Sequence, residues 1–157
     1  MSRGLRGSTV RFLYYDAVTH IDRGRSITGV KTFALSEEFL RRHYGKVAYV
    51  PGVLMIEAMA QLLGWLVVYS HDFRLSSIMS LIEGVTVTSD LRPGFKAEIQ
   101  GEIVSTSSRD TLGKARIYAD GRLIASLDRI IYSHFRNVDP RQLAARFEYY
   151  SGIRVSS

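Results

Sequence analysis

Residues 51–70 read PGVLMIEAMAQLLGWLVVYS, and the fold turns on how this run is interpreted. From Gly52 onward it holds one charged residue, Glu57, and one amide, Gln61. Its length is close to the roughly 20 residues that a bilayer span needs. An ionised carboxylate in the middle of such a span costs a few kcal/mol or more in hydrocarbon, and no cluster of Lys or Arg closely flanks both ends. The run is therefore read as a helix over 52–70 enclosed by protein. It is apolar almost all round because a sheet wraps it and a second subunit covers the rest.

Working outward, residues 11–18 (RFLYYDAV) and 26–35 (SITGVKTFAL) are rich in aromatic and β-branched residues and predict two strands, joined through DRGR. SEEFLRR, residues 36–42, predicts a short helix that Ser36 caps, with two glutamates in the first turn. After the long helix the pattern turns to β over 80–89, 95–107, 113–119 and 122–134. ADGR at 119–122 predicts a type I′ hairpin turn, because Asp-Gly accepts the positive φ angles it requires. RPGF at 92–95 predicts a second turn. Asp139 then Pro140 match an N-cap and first helical position, with Gly152 as the stop, so the tail predicts a short helix. Strands, one apolar helix and further antiparallel strands indicate an α+β fold in which a helix lies on an antiparallel sheet. One domain over 1–157 is expected, with its core at about 11–135 and a C-terminal extension over 136–157.

The 157 residues are 46% hydrophobic and 23% charged, an ordinary balance for a globular chain. A net charge of +6 favours an acidic partner, whether nucleic acid, anionic membrane or acidic protein. The basic residues are scattered and match no nucleic-acid recognition module. The absence of cysteine excludes disulfides, thiolate catalysis and cysteine metal sites, and suits the cytoplasm. The start, MSRGLRGSTVRF, lacks the apolar stretch of a secretory signal.

Glu57 and Gln61 are four apart and share one face of the helix. Burial raises a carboxyl pKa, which suits a general acid, and an interface glutamate paired to an arginine is the other reading. Gly52 opens the helix after Pro51, where first-turn N–H groups and the helix dipole favour a developing oxyanion. A Pro-Gly pair that merely punctuates loop and helix is the alternative. His43 lies in the preceding loop beside Arg41, Arg42 and Lys46, cations that favour its neutral, proton-accepting form. A surface histidine fits the same position. His20, His71 and His134 receive no role, since the four histidines lack the spacing of a metal site. No G-x-S-x-G occurs to support a serine nucleophile.

Taken together, His43-Tyr44, Pro51-Gly52, Glu57-Ala58 and Gln61 resemble the central motif of the hot-dog-fold 3-hydroxyacyl-acyl-carrier-protein dehydratases of type II fatty acid synthesis. The His-to-Glu separation of 14 matches, as does the Pro-Gly placement. Upstream, FLYYDAVTHIDRGRSITGVKTFALSEEFL looks like the family's opening strand, turn and strand. Downstream, LRPGF falls at its Pro-Gly turn. The resemblance implies an antiparallel sheet wrapped around the long helix, a dimer formed through edge strands, and an active site at the dimer interface. It implies that His43 takes the C2 proton, that the Gly52 N–H stabilises the enolate oxygen, that protonated Glu57 releases the C3 hydroxyl as water, and that Gln61 orients Glu57 or a water. No metal or redox cofactor is implied. The implied partner is an acidic acyl carrier protein bearing the substrate on phosphopantetheine, with Arg41, Arg42 and Lys46 as docking candidates. The loop YGKVAYV departs from the family, with Gly45, Lys46 and Ala48 where it has Pro, Gly and Pro. Arg42 likewise replaces the Gly that commonly precedes the His, and VTVTS stands where a strand usually carries Phe-Arg. These departures mark a divergent member for a specialised acyl pathway. A hot-dog thioesterase and a non-catalytic acyl-thioester-binding protein are the competing readings.

Overall fold

A computed structural model describes residues 15–37, 40 and 47–155. Strands β1 (Ala17–Asp22) and β2 (Ser26–Phe33) precede helix α1 (Gly52–Ser70). Then come β3 (Ser76–Val87), β4 (Phe95–Thr106), β5 (Asp110–Ala119), β6 (Arg122–Phe135) and helix α2 (Pro140–Ser151). The six strands form one antiparallel sheet in the order β1-β2-β4-β5-β6-β3. Helix α1 touches β2 through β6, so the sheet holds it along its length. This is the hot-dog fold.

The helix reaches the sheet closely because three neighbouring strands carry glycine beneath it. A Cβ on Gly29 of β2 would stand 2.9 Å from Leu62 Cδ1, and one on Gly101 of β4 would stand 3.2 Å from Leu63 Cδ1. One on Gly113 of β5 would meet Leu63 Cδ2 at 2.7 Å. Leu62 and Leu63 fill that trough and are fully buried, with Met55, Met59 and Leu66 along the same helix. Period-two alternation supplies the rest of the contact: Ala97 and Ile99 of β4 and Ala115 and Ile117 of β5 point inward. Lys31 occupies an inward position on β2 between Gly29 and Phe33. Its Nζ donates to Glu37 Oε1 at 2.7 Å and lies 3.7 Å from Asp16 Oδ1, which compensates its burial.

The range of α1 and both turns match expectation, with Asp120 (φ 51°) and Gly121 (φ 74°) closing the β5–β6 hairpin. Three strands begin elsewhere than expected, while β2 ends at Phe33 rather than 35 and β3 at Val87 rather than 89. β1 occupies 17–22 rather than 11–18, because the hairpin register, from Ala17 opposite Val30 to Asp22 opposite Ser26, carries it up to the turn. Residues 11–14 lie outside the described set. β3 begins at Ser76 rather than 80, since Ser76 and Ser77 pair with Phe135 and His134 of β6 despite their loop-like composition. β5 begins at Asp110 rather than 113, where Asp110 already pairs with Ser133 of β6. Most of the short helix expected over 36–42 lies outside the described residues.

The C-terminal helix is docked. The Asp139 side chain accepts from the N–H groups of Arg141 and Gln142, Pro140 opens the helix, and Gly152 at φ 76° ends it. Phe147 is fully buried, its ring 5.5–5.6 Å from those of Trp65, Tyr69 and Phe73. These contacts clamp α2 across the second half of α1, on the side the sheet leaves open.

Candidate active site

On that open side Gln61 Nε2 donates to Glu57 Oε1 at 2.8 Å, one helical turn apart. Glu57 is half-buried in the single chain, less enclosed than the apolar run around it implies, because it lies on the face turned from the sheet. Both side chains line a cleft of about 420 Å³. Trp65 and Val68 continue its α1 side, and Ser76, Ser77 and Met79 of β3 form the opposite edge. Tyr132 of β6 completes the floor. Its hydroxyl donates to the Ala60 carbonyl at 2.5 Å, and burial first, then the Glu57 charge, push its phenol well above the usual tyrosine range. The Ser77 hydroxyl donates to the Gly64 carbonyl at 3.0 Å.

Gly52 is the first residue of α1, and Pro51 before it provides no side-chain cap. The Val50 N–H donates to the Leu91 carbonyl at 2.7 Å, fixing the chain as it enters the helix. A Cβ on Gly52 would stand 2.8 Å from Val87 Cγ2. A side chain at this position would force Val87, at the end of β3, to shift, a constraint that local sequence does not contain. The helix-terminal field remains, since N-terminal N–H groups carry partial positive charge.

His43, Arg41, Arg42 and Lys46 lie outside the described residues. Among the expected site residues the structure therefore brings together Glu57 and Gln61 and places Gly52 on the same helix, one turn and a half before Glu57. It also groups residues that sequence reasoning passed over. Leu143, Arg146 and Tyr150 of α2 form the remaining wall of the Glu57 cleft. Their spacing of three and four is the signal that could have shown a shared helix face. His71 and His134, without assigned role, meet edge to face with centroids 4.8 Å apart.

The FabA-like domain family matches residues 8–128. The chain belongs to the FabA-like family. A 3-hydroxyacyl-[acyl-carrier-protein] dehydratase FabZ of Thiobacillus denitrificans is 31% identical over 74% of this chain and 83% of its own. The FabZ dehydratase of Nitratidesulfovibrio vulgaris strain Miyazaki F is 34% identical over 78% of this chain and 81% of its own. Among solved structures, smu.793 of Streptococcus mutans, bound to acetyl-CoA, superposes with a TM-score of 0.62 at 12% identity. That match covers 85% of this chain and all of the other. A hypothetical thioesterase of Streptococcus pneumoniae with coenzyme A gives a TM-score of 0.58 at 16% identity, over 77% of this chain and 87% of its own. At these identities the two structures speak to fold alone. Helix α2 falls beyond the family match.

Proposed function

We propose that the protein dehydrates 3-hydroxyacyl thioesters carried on acyl carrier protein to trans-2-enoyl thioesters, in fatty acid or related acyl-chain biosynthesis. The observation that carries this reading is the Glu57 carboxyl, held by Gln61 at 2.8 Å on the wall of a cleft in a FabA-like chain. His43 takes the C2 proton, and the Gly52 N–H stabilises the negative charge that develops on the thioester oxygen. As the C2–C3 double bond forms, Glu57 gives its proton to the C3 oxygen, the C3–O bond breaks and water leaves. Gln61 holds the Glu57 carboxyl towards the cleft.

The site is completed by a second copy. Strand β3 is a sheet edge and exposes Ile78, Met79, Leu81 and Val85, apolar side chains along an edge suited to pairing with its own copy. The net charge of +6 suits an acidic carrier protein, with Arg41, Arg42 and Lys46 as docking residues, and the absence of cysteine suits work in the cytoplasm.

The test is to incubate the protein with 3-hydroxyacyl and trans-2-enoyl thioesters of the carrier protein and to follow both the enoyl absorbance and released free acid. Interconversion, lost in His43→Ala, is expected. Free acid alone would make the protein a thioesterase, and binding without turnover would make it a non-catalytic thioester-binding protein; either outcome overturns the reading.

A further inference from the structure

Among the described residues one charged side chain is buried: Lys31 of β2, 5% exposed. Its Nζ donates to Glu37 Oε1 at 2.7 Å and to the Thr32 carbonyl at 3.0 Å, and lies 3.7 Å from Asp16 Oδ1. Asp16 is already committed to the β1–β2 hairpin. Its Oδ2 accepts from the Thr32 N–H at 2.6 Å, and its own N–H donates to the Val30 carbonyl at 2.6 Å. Glu37 is different, because it stands past the end of β2 on the stretch that leads to His43. A buried ion pair usually gains nothing in stability over an apolar side chain of the same volume. What Lys31 adds over such a side chain is direction, a bond to one particular residue.

The chain between β2 and α1 is pinned at both ends to the β3–β4 connection. The Gly94 N–H donates to the Phe33 carbonyl at 2.6 Å, and the Val50 N–H donates to the Leu91 carbonyl at 2.7 Å. Between these pins no proline fixes φ. Glu37 holds the stretch once more. Its N–H donates to the Ala34 carbonyl at 3.1 Å, the Leu40 N–H donates to its carbonyl at 3.0 Å, and Leu40 is buried. Among the described residues from 34 to 50, the Lys31–Glu37 bond is the side-chain link between this stretch and the sheet. Proton transfer is steep in geometry, and a misplacement of about 1 Å costs on the order of 100-fold.

We propose that Lys31 is a positioning residue, which through Glu37 sets where the chain leaves β2 towards His43 and so aims the His43 imidazole. This rests on the dehydratase reading for what His43 does, and on the Asp16–Lys31–Glu37 cluster alone for the tether. Lys31, Glu37 and His43 belong to one chain, so the tether acts in the same way whichever copy supplies the Glu57 that His43 meets.

Lys31→Met removes the ammonium and keeps most of the volume. Asp16 and Glu37 are both partly exposed, so water receives the carboxylates that it releases. The urea midpoint of this variant is expected to stay close to wild type. Its kcat for a 3-hydroxyacyl carrier-protein thioester is expected to fall about 10-fold to 100-fold, with KM changed by less than about threefold. Glu37→Gln should lose a similar factor, and the double variant no more than either single one, since both cut the same link. Asp16→Asn, on the hairpin side, should keep kcat within about threefold. A loss confined to KM, a loss that tracks the urea midpoint, or single losses that multiply in the double variant would overturn the proposal. Should wild type turn over no thioester, the dehydratase reading fails. The tether is then decided by native trypsin digestion of the full chain, with mass spectrometry counting cuts after Arg41, Arg42 and Lys46. Cutting about tenfold faster in Lys31→Met and Glu37→Gln, at an unchanged urea midpoint, supports the tether, and an unchanged rate overturns it.

Discussion

The two long faces of α1 answer to different demands. Towards the sheet, Leu62 and Leu63 sit in a trough of glycines where a single added carbon would collide with its neighbours. Towards the opening, Glu57, Gln61 and Trp65 border a cleft rather than close-packed side chains. A close-packed face transmits any change in volume to its surroundings. A cleft face tolerates substitution and can therefore be specialised for chemistry and selectivity. Substitutions on the sheet face should cost stability, and those on the cleft face should cost function.

The steepest loss of stability is expected for Leu63→Ala, which empties the trough above Gly101 and Gly113. Urea unfolding should register about 2–5 kcal/mol; a smaller cost would mean that the helix resettles on the sheet. Gly113→Ala reverses the insult. Its Cβ would stand 2.7 Å from Leu63 Cδ2 and 2.9 Å from the Glu102 carbonyl oxygen, and backbone cannot step aside as a side-chain tip can. About 1–3 kcal/mol should be lost in the same measurement. Asp139→Ala removes the cap that starts α2 and should cost about 1 kcal/mol. Because α2 clamps Trp65 through Phe147, that variant should also alter Trp65 emission, which a local effect at the helix end would leave unchanged.

The smallest effect lies at the far end of α1. His134 donates to or accepts from Thr111 Oγ1 at 2.8 Å, and its ring meets His71, whose Nδ1 lies 2.8 Å from the Val67 carbonyl. Burial first, and then His71, hold the His134 imidazole below the ordinary histidine value of 6.5; a hydrogen bond to the Ser108 backbone works against them, Arg136 acts with them and Asp110 against. Between that lowered value and 6.5 the unfolded chain binds more protons than the folded one. Stability should therefore fall as pH drops through this window, and be unaffected by this group above it. Comparing urea midpoints at about pH 7.5 and about pH 5.5, His134→Gln should show the shallower fall. An equal fall in the variant would place the pH sensitivity elsewhere.

What could be read from sequence follows local chemistry. The range of α1, the Asp120-Gly121 turn and both ends of α2 rest on residues whose preferences are set within a few positions, and all were legible. The ranges of β1 and β3 were not, because polar residues such as His20 and Ser76 join strands only when a partner strand fixes their register. Gly29, Gly101 and Gly113 look unrelated until β2, β4 and β5 lie side by side. Of the site, Glu57 and Gln61 were legible through helical spacing. Arg146 was not, since its place on the cleft wall depends on how Phe147 docks.

If one face of α1 holds the fold and the other performs the reaction, Glu57→Gln separates the two in a single comparison. The amide keeps the shape and the contact with Gln61 but has no acidic proton to give. Urea unfolding of this variant should stay within about 0.5 kcal/mol of wild type. Its dehydration of a 3-hydroxyacyl carrier-protein thioester should fall roughly 100-fold to 10,000-fold. Retained activity, or activity lost only in step with stability, would contradict the account.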